Sequence, residues 1–424
     1  MSDRTRAAAV LAECQLLATM TEEPGRTTRR FLTPPVAQVH AYLRRRMEEL
    51  GMAVSIDAVG NLRGCLQSDA SMQKRLVIGS HIDTVPDAGA FDGVLGVVLA
   101  LHLAAEARAS SLPLAIEVVA FSEEEGVRFG VPFLGSRAMA GRFDPALLAL
   151  TDAEGISVGQ AIANFGLNSG LNLALNSGPG IGAIEEAIVG EDAIGFFEIH
   201  IEQGPVLEAE GLSVAVVTAI VGQTRCKFSF QGRANHAGTT PMHLRQDAMT
   251  TAAEWILAVE ALANKTDGLV ATVGRIVAQP NAGNVIAANV RVSLDLRHAR
   301  DFVREEAIDT LTRQAEAIAA RRGVRCEARR LLEQVAVPMD EEMTALLAES
   351  VAAAGFAERH MTSGAGHDAM VMATRLPTAM LFLRSPGGVS HHPDETVLEA
   401  DVEAALKIGG LFLRRLCARS DWKR

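Results

Sequence analysis

The chain has 424 residues, 48% of them apolar, and a formal net charge of −11. That length exceeds the usual limit of one hydrophobic core, so two domains are expected. The acidic balance argues against a general affinity for nucleic acid or an anionic membrane and points to a small ligand.

Residues 1–20 read as an amphipathic helix without the basic and apolar segments of a leader. Val39 to Leu50 reads as a second helix, stopped at Gly51. Met52 to Asp57 and Leu62 to Leu66 read as strands joined by a turn at Val59-Gly60-Asn61. Arg75 to Ile78 is a short strand running into His81, Val94 to Arg108 is helical, and Leu114 to Phe121 is a strand running into Glu123-Glu124-Glu125. Asn164 to Gly182, rich in Asn, Ser and Gly, reads as an extended surface loop. The longest apolar run, Val94 to Ala105, is broken by His102 and is far shorter than the roughly 20 residues a membrane helix needs. Alternating helix and strand patterns predict an α/β layer structure up to about Gly211.

After Gly204-Pro205 the pattern changes. Strand 226–230, helix 247–262, strands 270–277 and 290–296, helix 302–321 and strand 325–331 predict an inserted α+β unit of ferredoxin-like type. The remaining tail, with a strand at Thr378 to Leu383, is expected to rejoin the first domain. The expected division is therefore a catalytic domain in two parts, 1–212 and 332–424, with a central mixed sheet flanked by helices, and an inserted lid of residues 213–331. Five dispersed cysteines (Cys14, Cys65, Cys226, Cys326, Cys417) without a C-x-x-C pair suggest neither a disulfide framework nor a thiolate zinc site, and predict a reducing, cytoplasmic setting.

Ligands in open α/β sheets bind outside the carboxyl ends of the strands, and acidic and imidazole groups gather there. His81 and Asp83 share a face of an extended segment, so Asp83 can orient the imidazole. Asp92 precedes Gly93 at a helix start. Glu123 to Glu125 follow a buried strand, and neighbouring carboxylates there can divide their tasks between holding a cation and taking a proton. A strand would place Glu198, His200 and Glu202 on one face. His391 and His392 point opposite ways, so at most one is a ligand. Standing alone, each has a structural reading: a polar pair ending a strand, a helix cap, a solvated acidic turn, a buried histidine. Jointly they form an N/O donor set suited to divalent ions such as Zn²⁺ or Mn²⁺.

The segments Ser80-His81-Ile82-Asp83-Thr84-Val85-Pro86, Phe91-Asp92-Gly93-Val94, Glu124-Glu125-Gly126, Glu198-Ile199-His200-Ile201-Glu202-Gln203-Gly204-Pro205, Asn235-His236-Ala237-Gly238, Ser363-Gly364-Ala365-Gly366-His367-Asp368 and Ser390-His391 occur in the order seen in the metal-dependent amidohydrolases of the M20 superfamily. The chain resembles its allantoate amidohydrolase, N-carbamoyl-L-amino-acid hydrolase and β-ureidopropionase branch, from about Gly60 to Glu399. The resemblance implies two divalent ions per subunit, zinc or manganese with cobalt or nickel as alternatives. His81, Asp92 and His200 would hold one, and Glu125 and His391 would complete the other with Asp92 bridging. It implies Glu124 as general base, with Glu123 in support, and His236 as a catalytic group acting across the interface of a homodimer formed by the lid. Gln223, Asn284 and Arg297 match substrate-binding positions, and His367 either contacts substrate or makes a structural bond. His243, His298, His360 and His392 are left as structural.

The implied substrate is a small ureido-carboxylate, because His200 stands where peptidase relatives generally carry a carboxylate. Allantoate is placed first. N-carbamoyl-amino acids are the alternative, with a silent ureide-binding protein or an M20 peptidase or aminoacylase behind them. Asp87-Ala88-Gly89-Ala90 and Ala287-Ala288-Asn289 depart from the commoner family spellings, which bears on loop shape and substrate fit.

Overall fold

The computed structural model describes residues 3–67, 74–166 and 181–419. Most of the expected loop at 164–182 lies outside them. Among these described residues, fourteen strands follow in chain order. They are β1 (Ala53–Ile56), β2 (Leu62–Leu66), β3 (Arg75–His81), β4 (Ala115–Phe121), β5 (Ala193–Ile201), β6 (Val214–Ile220), β7 (Gly222–Gln231), β8 (Val270–Thr272), β9 (Ile276–Gln279), β10 (Asn289–His298), β11 (Arg325–Gln334), β12 (Val337–Pro338), β13 (His360–Ser363) and β14 (Thr378–Leu383).

Contacts divide the chain into Met1–Thr218 with Met339–Arg424, and Ala219–Pro338. Both divisions fall later than the expected 212/213 and 331/332. The reason is pairing: β6 is hydrogen-bonded to β14 in the first unit's sheet, and β11 stays paired with β7 as far as Gln334.

The first unit is built on a mixed sheet in the order β1-β2-β4-β3-β5-β14-β6-β12, with β13 beside β6. β4, β3, β5 and β14 are mutually parallel, so His81, Phe121, Ile201 and Leu383 end on one edge. These four strands are buried almost throughout, as their continuous apolar runs require. Helix Val94–Ala109 is apolar nearly all round and correspondingly buried. It lies so close to β5 that a Cβ on Gly96 would stand 2.3 Å from the Ile199 carbonyl oxygen. The first helix, Asp3–Ala18, buries Ala7, Val10, Cys14 and Leu17, one stripe at helical spacing.

The second unit runs strand, helix, three strands, helix, strand, with the sheet order β11-β7-β10-β8 and β9 also on β10. The expected strand 270–277 is two pieces, β8 and β9, separated by Val273-Gly274-Arg275, and both pair antiparallel with β10. Helices Ala248–Lys265 and Asp301–Arg321 supply the core of one face, where Trp255 stacks at 4.2 Å on Phe228 and its Nε1–H donates to the Leu311 carbonyl at 2.9 Å. None of the five cysteines, all among the described residues, is in a disulfide. Among the described residues no helix is long and apolar enough to cross a membrane.

Candidate active site

Loops leaving the parallel strands of the first unit bring His81, Asp92, Glu124, Glu125, His200 and His391 together. Among the described residues, four groups have ligand atoms within 4.8 Å of one another: His81, Asp92 and His200; Asp92, Glu125 and His391; His81, Glu124 and Glu125; and Glu198, His200 and His367. Asp92 belongs to two of them. Its Oδ1 lies 3.3 Å from His200 Nε2 and 4.0 Å from His81 Nε2, and its Oδ2 lies 3.2 Å from His391 Nε2. His391 Nε2 is also 3.5 Å from Glu125 Oε1.

The imidazoles are oriented from behind. His81 Nδ1 lies 3.0 Å from the Asp83 carbonyl, and His200 Nδ1 lies 3.0 Å from that of Ile201. A carbonyl only accepts, so each Nδ1 carries the proton and each Nε2 lone pair faces the cluster. The two Nε2 atoms are 3.4 Å apart beside Asp92, an acceptor-rich convergence that suits a cation. Burial holds His200 down at about 4, keeping it neutral. Burial, with Asp92 next, pushes Glu125 up to about 7, and burial reinforced by Glu125 and Asp368 pushes Glu124 well above the usual carboxylate range. Carboxylates crowded this way ionise together only beside positive charge. The donor set therefore fits divalent metal.

Local structure explains each placement. Asp92 does not cap the helix with its side chain; the N-cap is Gly93, at φ 68°, where a Cβ would stand 2.5 Å from the His81 ring. Glycine thus frees the Asp92 carboxylate for the cluster and lets the imidazole lie against the backbone. Asp83 accepts the N–H groups of Glu124 and Glu125, both at 3.0 Å, joining the histidine and glutamate loops. Glu123 turns away into the interior and accepts from the Arg128 N–H. Glu202, expected on the histidine face, instead accepts the N–H groups of Val206 and Leu207 at the next helix start. His367 is buried beside His200, ring centroids 4.4 Å apart, with its Nε2 2.8 Å from Ser363 Oγ. Of the histidines left as structural, His298 is buried between the carbonyls of Arg300 and Asp267, while His243, His360 and His392 are exposed.

Sequence reasoning missed three supports. Glu395 Oε1 accepts the N–H groups of Phe91 and Asp92, both at 3.0 Å, and its Oε2 accepts from Ser390 Oγ at 3.1 Å, so one carboxylate ties the Asp92 turn to the His391 loop. Its place four residues after His391 was the available signal. Asn61, expected only as a turn residue, accepts the Ser122 N–H and donates to Asp57 and to the Gly135 carbonyl beneath the glutamate loop. Arg29, fully buried, donates to the carbonyls of Leu17, Met20 and Ile82; nothing local in the sequence marks it.

The other candidates belong to the second unit, at opposite ends of its sheet. Gln223 and Arg297 are cross-strand partners on β7 and β10. Asp295 gathers them: it accepts from Gln223 Nε2 at 2.6 Å, from Arg297 Nε at 2.9 Å and from Arg225 Nε at 3.0 Å. At the far end, His236 forms an isolated bridge with Val285, and the Ala237 N–H donates to the Asn284 carbonyl at 2.9 Å. His236 and Asn284 are both exposed. The Gly238 N–H donates to His236 Nδ1 at 3.1 Å, which leaves the proton on Nε2 as an outward donor.

An α/β unit with imidazoles and carboxylates converging outside its parallel strand ends defines a hydrolase of the divalent-cation type. The model of peptidase family M20/M25/M40 matches residues 77–415, and the chain belongs to that family. It is 37% identical to the allantoate deiminase of Arabidopsis thaliana, over 89% of this chain and 76% of that protein. It is 37% identical to the N-carbamoyl-L-amino-acid amidohydrolase of Paenarthrobacter aurescens, over 88% of this chain and 89% of that one. Among solved structures, an amidase of the hydantoinase/carbamoylase family from Burkholderia multivorans superposes with a TM-score of 0.88 at 29% identity, covering 97% of this chain and 98% of its own.

Proposed function

We propose that the protein hydrolyses the terminal ureido C–N bond of a small carboxylate, with allantoate as the first candidate, giving ureidoglycine, ammonia and carbon dioxide. The observation that carries this reading is the sharing of Asp92 between two imidazole-carboxylate groups, with Glu124 beside them and outside the strict need for ligands. His81, Asp92 and His200 would hold one divalent ion and Asp92, Glu125 and His391 a second, zinc or manganese by donor type. Bound there, such ions supply Lewis acidity to the ureido carbonyl and make water easier to ionise.

The remaining work falls to side chains. Glu124, whose proton affinity is raised by burial and neighbouring acids, takes the proton of the attacking water and returns it to the departing nitrogen. Arg297 receives the substrate carboxylate. Asp295 holds the Arg225 and Arg297 guanidinium groups together at that end of the sheet, and the planar fork of Arg297 suits a carboxylate. Gln223 and Asn284 add hydrogen bonds. His236, with its proton on Nε2, is suited to polarise the carbonyl oxygen.

Gln223 and His236 cannot serve one substrate from the same copy of the sheet. Eight strand residues separate Gln223 from Gln231, where the His236 loop begins, or roughly 26 Å at the rise of a β-strand. That separation supports a homodimer in which His236 and Asn284 reach the partner's substrate. N-carbamoyl-L-amino acids are the second reading, favoured by the likeness to the Paenarthrobacter aurescens enzyme. A turnover panel of allantoate, N-carbamoyl-β-alanine, N-carbamoyl-L-amino acids and N-acyl-amino acids tests both. Ammonia release fastest from allantoate is expected; hydrolysis confined to N-acyl substrates, without ammonia, would sink the reading.

A further inference from the structure

The helices cover one face of the second unit's sheet, and the other face is open. On that face, cross-strand register sets Arg329 of β11 opposite Lys227 of β7 and Lys227 opposite Ser293 of β10, with the Ser293 N–H bonded to the Arg275 carbonyl just before β9. The neighbouring row contains Glu327, which pairs with Arg325, then Ser229, Arg291 and Val277. A groove with a cavity of about 240 Å³ opens here, lined by Lys227, Arg275, Arg291, Ser293, Val277 and Leu331. Leu331 reaches it because β11 is irregular between Arg330 and Leu332, leaving Leu331 without a partner in register and 58% exposed.

Among the described residues, no carboxylate lines the groove. Among the described residues, Lys227, Arg275 and Arg291 form no ion pair, whereas most other arginines of this unit do: Arg225 and Arg297 with Asp295, Arg304 with Asp301, Arg330 with Glu305, Arg325 with Glu327. Like charges directly opposite on adjacent strands oppose sheet pairing. A chain of net charge −11 that nevertheless stacks Arg329 on Lys227 and leaves three lining cations uncompensated has concentrated positive potential in one concave place. Guanidinium and ammonium groups beside a hydroxyl form a complementary set for oxyanions.

We propose that this groove is a binding site for a small, multiply charged oxyanion, either a phosphate group or a dicarboxylate, separate from the Gln223–Arg297 end of the sheet. Lys227 stands four strand residues from Gln223, roughly 13 Å along β7, so the two positions are distinct. The proposal does not depend on which substrate the first unit turns over.

Calorimetric titration of the metal-loaded, full-length protein at low ionic strength, with inorganic phosphate and with malonate, tests it. Binding is expected to weaken at least tenfold in Lys227→Gln/Arg291→Gln, to persist in Lys227→Arg, and to persist in Arg297→Gln. The stronger of the two probes identifies the source chemistry, and either one supports the site. No binding of either probe at millimolar concentration overturns it. So does equal binding by the double variant, or loss in Arg297→Gln, which would assign the anion to the catalytic centre. Far-UV circular dichroism and turnover at saturating substrate show that the double variant is folded.

Discussion

Asp92 is where the chemistry of the first unit concentrates, and its position depends on Gly93 beneath the His81 ring and on Glu395 across the loop. Glu395→Ala removes the acceptor for two backbone N–H groups and for Ser390, so the Asp92 turn and the His391 loop lose their shared anchor. Removal of such outer supports costs about 10- to 100-fold in metal affinity, and that loss is expected in a chelator-competition titration. Glu395→Gln keeps an acceptor oxygen and should recover most of it; equal loss in both variants would contradict the anchoring role. His81 and the glutamates of the cluster were legible in the sequence because they follow apolar runs, and Asp92, His200 and His391 because motif order joined them to these. Glu395, Asn61 and Arg29 were not, since their partners lie far away in the chain and their work is done on backbone groups that leave no pattern.

Helix Pro34–Glu49 carries an element-scale consequence. It buries His40, whose ring nitrogens have no hydrogen-bond partner among the described residues, against Phe165 at 5.5 Å. Burial first, then Arg44 and Arg29, depresses His40 to about 4. The unfolded chain takes up this proton near pH 6.5 and the folded one only near 4, so the contribution is intact above pH 6.5. It is lost as pH falls toward 4, by up to roughly 3 kcal/mol. His40→Phe should therefore narrow the drop in calorimetric unfolding temperature between pH 7 and pH 5; an unchanged drop would contradict the assignment. Strand and helix order was largely readable, because β3, β4, β5 and β14 are continuous apolar runs and the helices keep their stripes. The division of 270–277 into β8 and β9 was hidden in a run of β-branched residues, where only Gly274 marked the break. The unit boundaries moved because strand pairing, not composition, decides which sheet a residue joins.

At the scale of the molecule, the separation of the Gln223–Arg297 pair from His236 and Asn284 along one sheet predicts complementation between copies. Mixing inactive Glu124→Gln with inactive His236→Ala should restore about a quarter of wild-type turnover. That is the share of sites uniting an intact Glu124 with a partner's intact His236 when subunits pair at random. Silence after verified subunit exchange would place His236 in its own subunit's site or outside catalysis. The central claim, that the first unit's cluster holds divalent metal and Glu124 moves the proton, is tested most directly by one paired measurement: metal content and ammonia release from allantoate, in wild type and in Glu124→Gln, before and after chelation. Equal metal in both proteins is expected, with release by wild type that chelation abolishes and metal restores, and a roughly 10²- to 10⁴-fold lower rate in the variant. Full activity in Glu124→Gln, or release indifferent to chelation, would contradict it.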